Sequence, residues 1–280
     1  MATGADTRQG IFVKRAVAPC HPWQSRGIHS FVRQLPHRPV NIGDVDGDSV
    51  SMSDWVSFFD SDHSIYVNAR HREVHARITG DGMMAHITRS DRVLDYGCGE
   101  AAYAERLVRE AETLTLCEAA PNLAEALKRR VAHERYIAVM SPDEVAALPG
   151  GSFDVVIMHS VSQYLSPAQL DTLLTLFRRL LQPGGKFVIG DVVQPDTPAW
   201  KDALALLQFG WREGFFLAAV AGLFRTALSD YAKLRKDAGL SRYSEDEMRK
   251  TLERAGYRAH RHVPNIGHLQ TRMTFVAIPR

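Results

Sequence analysis

The sequence predicts an α/β fold built on a parallel sheet with helices on both faces. Two observations predict it. Between residues 92 and 193, short apolar runs alternate with helical stretches of ten or more residues. Such alternation requires crossover connections, hence parallel strands. The first apolar run also closes on a glycine pair, Gly97 and Gly99, directly before a helical stretch. That is where an open parallel sheet brings a chain end close to a ligand.

The elements follow in order. A helix is expected over 64–79, then a strand over Arg92–Tyr96. Helix 101–111, strand 113–117, helix 121–132 and strand 135–140 come next. Strand 154–159, helix 167–181 and strand 186–193 complete the alternating part. Residues 197–238 read as helical and unusually apolar. Helix 244–255 opens on Ser244 with Glu247 three residues later, a capping box. Two strands, near 257–263 and 272–278, end the chain.

Composition bounds the function. The chain has 280 residues, 45% hydrophobic and 24% charged, ordinary for a globular protein with a core of useful size. A net charge of +2 gives no electrostatic case for nucleic acid. Three cysteines, Cys20, Cys98 and Cys117, form no CxxC pair, and no HExxH occurs, so no metal site is expected. The longest apolar run, Gly214–Phe224, is too short for a spanning helix, which needs roughly 20 apolar residues.

Residues 1–51 differ from the rest. No acidic residue lies between Asp6 and Asp44, while Arg8, Lys14, Arg15, Arg26, Arg33 and Arg38 are basic. Pro19, Pro22 and Pro36 interrupt any helical pattern. This reads as a disordered extension ahead of one domain over 52–280. The composition is that of a mitochondrial transit peptide, but the amphipathic periodicity is poor. An upstream start with Met52 as the true beginning is the simpler reading, and a cytoplasmic location goes with it.

The chemistry is carried first by Val93–Ala101, VLDYGCGEA. The strand–turn–helix context separates it from a chance glycine pair, whose plain reading is a turn that binds nothing. Glu118 follows Asp95 by 23 positions, at the end of the second strand. An acid about 20 residues along can accept both hydroxyls of a ribose. The spacing Gly97-Cys98-Gly99-Glu100-Ala101 departs from GxGxxG, which disfavours a nicotinamide dinucleotide.

With LDYGCGEA, LCEAAP, LPGGSFDVVIMHSVSQYL and LLQPGGKFVIGD in this order, the chain resembles the class I S-adenosylmethionine-dependent methyltransferases, in their small-molecule, ubiquinone-biosynthesis-like branch. The resemblance covers residues 88–195 well and 244–280 loosely. It implies a Rossmann-like sheet of seven strands with the last antiparallel, and a helical lid over about 195–243. It implies S-adenosylmethionine as cofactor. Asp95 would orient its methionine end, and Gly97 and Gly99 would face its aminoacyl and ribose portion. Glu118 would hold the ribose, Ala119 would flank the adenine, and the loop with Ser141, Asp143 and Glu144 would pack on it. Ala101 stands where the family often has a third glycine.

His159 and Ser160 end strand four, Gln163 and Tyr164 follow, and Asp191 ends strand five. His159 is a candidate catalytic base, since an imidazole titrates near neutrality; it reads equally as a cofactor-pocket residue. Asn265, Gly267 and His268 are expected near the same mouth. Phe209, Trp211, Phe215, Phe216, Leu217 and Phe224 make the insert rich in large apolar groups. They imply either a hydrophobic acceptor under a lid or packing on the sheet or on a second subunit, a homodimer. The leading expectation is methyl transfer to a small acceptor. A catalytically silent relative that serves as an assembly or regulatory partner is the alternative.

Overall fold

The computed structural model describes residues 56, 57, 60, 66–195, 198–227 and 240–280, all within the unit Pro39–Arg280. The extension expected over 1–51 and the middle of the insert lie outside the described residues.

Seven strands form one sheet: β1 (Arg92–Tyr96), β2 (Thr113–Cys117), β3 (Ile137–Met140), β4 (Phe153–His159), β5 (Leu181–Val192), β6 (Tyr257–His262) and β7 (Met273–Pro279). Their order is β3-β2-β1-β4-β5-β7-β6. β1 to β5 pair in parallel, and β7 runs antiparallel to both β5 and β6. The chain therefore steps outward from β1 in one direction to β3, then returns beside β1 with β4. Ligands in open α/β sheets bind over this reversal, outside the carboxyl ends of the strands.

The helices are α1 (Ala69–Met84), α2 (Ala104–Leu107), α3 (Pro121–Arg130), α4 (Pro142–Ala146), α5 (Pro167–Leu180), α6 (Ala199–Glu213), α7 (Phe216–Ala227) and α8 (Glu245–Arg254). Strand periodicity divides the core in two. Leu94, Val156, Met158, Phe187 and Ile189 pack with Leu170, Phe177, Met248 and Leu252 on one face. Val93, Val155, Ile157 and Val188 pack with Met83, Leu107 and Leu127 on the other. Serine-based capping boxes at Ser141, Ser166 and Ser244 start α4, α5 and α8. Each satisfies orphan backbone amides of the first turn.

The sequence places the first helix at 64–79; it runs from 69 to 84. Asn68 caps it by accepting from the His71 amide at 2.8 Å. Gly80 and Gly82, beyond the expected end, lie inside it as packing sites. A Cβ on Gly80 would stand 2.8 Å from Tyr103 Cβ, and one on Gly82 would stand 3.2 Å from Ile266. The expected helix 101–111 shrinks to α2 and a 3-10 turn over Val108–Glu110, because Ala101 has φ of 39°, outside the helical region.

The insert forms a hairpin of α6 and α7, joined by Gly214 at φ 80°. Phe209, Phe215 and Ala219 pack on Val74 of α1 in a small separate cluster. Trp200, Trp211 and Leu217 are exposed.

Gly80→Ala tests the α1–Tyr103 contact. Alanine gains about 1 kcal/mol of helix propensity, while forced overpacking costs about 1–3 kcal/mol. We expect a net loss of stability in urea unfolding. A gain would show that Tyr103 yields freely.

Candidate active site

A cavity of about 950 Å³ opens over the carboxyl ends of the strands. That lies near the top of the range for small-molecule sites, roughly 300–1,000 Å³. Its first half is built on β1 and β2. After Tyr96 the chain turns through Gly97 (φ 74°), Gly99 (φ 57°) and Ala101 (φ 39°), three alternate residues in the left-handed region. The amides of Gly97 and Cys98 donate to the Cys117 carbonyl at 2.9 and 3.1 Å, which ties the turn to the end of β2. Gly97 is required twice over: by its φ, and because a Cβ would lie 2.5 Å from Val161 Cγ2. A Cβ on Gly99 would meet nothing within 4 Å, so this backbone faces open space. Alanine in left-handed geometry costs about 1–2 kcal/mol. Arg130 on α3 holds the strained segment through the carbonyls of Glu100 (2.5 Å) and Ala101 (2.7 Å).

Glu118 is buried at the end of β2. Its carboxylate accepts from the Gly99 amide at 2.9 Å and the Ala120 amide at 2.8 Å. Burial raises its pKa, against the pull of those amides. Four acceptor sites on a carboxylate leave capacity for further hydroxyl donors. Ala119 is exposed on the wall beside it, and Asn122 and Leu123 from the start of α3 line the same side. Asp60 joins them: its carboxylate accepts from the Asn122 amide and side chain at 2.7 and 2.9 Å.

Four other expected residues stand differently. Asp95 is not on the cavity wall. It points into the face packed by α2, where it accepts from the Tyr103 hydroxyl at 2.6 Å, and burial lifts its pKa to about 7. Ser141 and Glu144 bond to each other in the capping box of α4. Asp143 is exposed, and Pro142 is the residue of this loop that lines the cavity.

The second half lies over β4, β5 and β7. His159, Ser160, Gln163, Tyr164 and Asp191 all line it, and Arg272, Leu269, Tyr66, His75 and Thr79 join them. The ring of His159 lies against Gly190, where a Cβ would be 2.7 Å from Nδ1, and beside Gly267. Its Nδ1 is buried with no partner. His268 stacks on Phe209 at 4.2 Å, and His71 stacks on Phe215 at 5.0 Å. Burial lowers the pKa of His71 and His159 to about 4 and of His75 and His268 to about 3, so the imidazoles around this half are neutral. Among the described residues, no group of three or more His, Cys, Asp or Glu could hold a metal ion.

A methyltransferase domain family model matches residues 94–189. This span runs from β1 through the glycine turn and Glu118 to β5. Residues 94–189 thus match a methyltransferase domain, laid on the sheet order described above. An uncharacterized methyltransferase of Synechocystis is 28% identical over 122 residues, 43% of this chain and 56% of that protein. Nodulation protein S of Rhizobium tropici is 25% identical over 108 residues, 38% of this chain and 45% of that protein. The chain thus spans about half the length of the curated relatives it matches. The S-adenosylmethionine-dependent methyltransferase SibL, solved in its apo form, shares the fold with a TM-score of 0.52 and 18% identity. The match covers 75% of this chain and 57% of that one.

Of the two readings of the insert's aromatic residues, Phe215 follows the packing one. Phe215 and Phe216 do not line a chamber. Phe215 is buried on His71 and Phe209, away from the cavity, and Phe216 faces outward beside Trp211. Phe209 and Phe215 serve to seat the hairpin on α1; the side chain of Phe224 lies outside the described residues. Sequence reasoning also missed Tyr66, His75, Thr79, Tyr103 and Arg272. His75 and Thr79 lie one helical turn apart on α1, and Tyr66 precedes that helix. Tyr103 and Arg272 carry no local signal.

The buried imidazoles set the acid response. A histidine whose folded pKa lies below its unfolded value stabilises above pH 6.5, and that stability is lost as pH falls through the folded value. His71, His75, His86, His159 and His268 are all of this kind. Asp95 and Asp191, with pKa values raised to about 7 and 6, act in the opposite sense over the same window. Glu118, also raised by burial, acts in the same sense as the two aspartates, but the five imidazoles outnumber these three carboxylates, so stability should fall between pH 6.5 and 5 in chemical unfolding of the ligand-free protein. A rise over that interval would show that the imidazoles are solvated.

Proposed function

We propose that the chain binds S-adenosylmethionine in the half of the cavity over β1, β2 and β3, and transfers its methyl group to a small acceptor in the half over β4, β5 and β7. The observation that carries the reading is the Glu118 carboxylate bonded to the Gly99 amide beside a left-handed turn facing open space. A cradle of this kind admits the close backbone approach that a nucleoside ligand needs. Glu118 is placed to take the ribose hydroxyls, and Ala119, Leu123 and Pro142 supply apolar surface for a base. Asp95 acts from behind through Tyr103 rather than as a wall of the site. The cofactor supplies an activated methyl group. The protein contributes alignment and exclusion of water, and orientation alone can lower such a barrier by about 7–11 kcal/mol.

An intact turn with Glu118 already in place favours an active enzyme over a silent relative. His159 is best read as a wall of the acceptor half. Its ring is wedged between Gly190 and Gly267, and its Nδ1 is enclosed. The acceptor half has apolar sides, from Leu165, Val193 and Leu269, above polar groups at the strand ends. An acceptor with an apolar body and a polar head fits both.

Ala119→Trp tests the cofactor half. Residue 119 is exposed, so the indole should fill the cavity without disturbing the core. The wild type should bind S-adenosylhomocysteine by calorimetry and ignore NAD. The variant should lose S-adenosylhomocysteine binding and keep the wild-type unfolding midpoint. Wild-type binding of NAD with no response to S-adenosylhomocysteine would refute the reading.

A further inference from the structure

At the floor of the acceptor half, two adjacent strand ends carry non-glycine residues in left-handed geometry. These are Ser160 after β4 (φ 57°) and Asp191 on β5 (φ 61°). Each such residue costs of order 1–3 kcal/mol and persists only where its surroundings over-determine it. Here they do. The Ser160 hydroxyl donates to Asp191 Oδ2 at 2.8 Å, and the Ser160 carbonyl accepts from Gln163 Nε2 at 2.9 Å. The Ser160 amide donates to the Gly190 carbonyl at 3.2 Å. The Asp191 amide donates to Asn265 Oδ1 at 3.3 Å, and that oxygen also accepts from Thr274 Oγ1 at 2.7 Å. The result of this bracing is that a carboxylate is presented into the cavity.

The charge there is not balanced. Arg272 is the nearby cation, but its guanidinium bonds Asp202 at 2.7 Å, so that pair is internally neutral. The surrounding imidazoles carry no charge near neutral pH. Gln163, which lines the cavity and is more than nine-tenths buried, retains Oε1, an acceptor, without a partner. A buried polar group left unpaired costs about 1–3 kcal/mol, so this end of the cavity is built for a polar ligand group. Its charge makes that group a cation or a strong hydrogen-bond donor.

Building on the methyltransferase reading, we propose that Asp191, braced by Ser160, is the recognition site for the amine head of the methyl acceptor, a small amine on a compact apolar body. Asp191 takes one proton from the bound ammonium. The freed nitrogen lone pair then forms the N–C bond to the methyl, and the electron pair of the broken S–C bond stays on sulfur. Asp191 releases its proton to solvent when the site opens. The groups facing it are Ser160, Arg272, Asp202 and Asn265, and burial outweighs their net effect, raising its pKa to about 6.

The test uses the full chain and three probes that share a phenyl body: phenethylamine, 2-phenylethanol and 3-phenylpropionate. Binding is measured by calorimetry at saturating S-adenosylhomocysteine, whose own affinity is measured first. A hydrogen bond to a charged group contributes about 1.5–3 kcal/mol, so phenethylamine should bind about 10- to 100-fold tighter than the other two. Its lead should shrink as pH falls from 8 to 5 and Asp191 is protonated. Asp191→Asn should abolish the lead and leave S-adenosylhomocysteine affinity unchanged. Asparagine accepts left-handed geometry, so the variant should fold, and the wild-type pH series stands independently of it. Equal binding of the three probes, tighter binding of the propionate, or a lead that survives in Asp191→Asn would overturn the inference. So would a variant that loses S-adenosylmethionine affinity while keeping its preference for phenethylamine, since the carboxylate would then serve the sulfonium. If S-adenosylhomocysteine does not bind, the methyltransferase reading falls and the inference falls with it. If it binds and the amine has no lead, the inference alone falls.

Discussion

The bond from the Gly99 amide to the Glu118 carboxylate joins the two strand ends on which the site is built. It is charge-assisted and buried, the stronger kind of hydrogen bond. It fixes the glycine turn against β2, and β2 already receives the Gly97 and Cys98 amides at Cys117. Three backbone donors of one turn thus end on two neighbouring residues of the next strand. The left-handed torsions at 97, 99 and 101 are held by these anchors and by Arg130 from α3. Loosening Glu118 would free the turn as well as remove a contact for a ligand.

The reversal of strand order between β1 and β4 divides the cavity into halves of different character. Over β1 and β2, backbone amides and apolar surface surround one carboxylate that two amides already hold in place. Over β4 and β5, neutral imidazoles and an internally paired arginine surround a carboxylate with spare acceptor capacity. Burial has opposite effects on the two kinds of group there. It keeps the imidazoles neutral and the Asp191 proton easily exchanged near neutral pH. An apolar enclosure can therefore favour a donor head without a dedicated ion pair.

Much of the fold was legible because strand periodicity and capping chemistry are local. The strands Arg92–Tyr96 and 113–117 and the capping box at Ser244 follow directly from such signals. Glu118 was legible because its spacing from the glycine turn is set by one crossover. Asp95 was placed on the correct strand but on the wrong surface. Its side chain shares the face of Val93, and the tyrosine eight residues on that claims it is a tertiary partner. The aromatic residues of the insert stayed ambiguous for a related reason. Composition shows that Phe215 and Phe216 need burial, but not against what. Glycines inside α1 read as packing sites only once the close approach of Tyr103 and Ile266 is seen.

Ala101 carries a wider consequence. Replacement by glycine would relieve its strain but enlarge the freedom of the unfolded chain, at a cost of about 0.4–1 kcal/mol in stability. The two effects oppose each other, so the exchange changes stability by less than the strain alone. Alanine offers rigidity instead: it denies the loop the alternative conformations that glycine would open. The position acts as a set-screw on the wall of the cavity, trading static strain for a narrower ensemble.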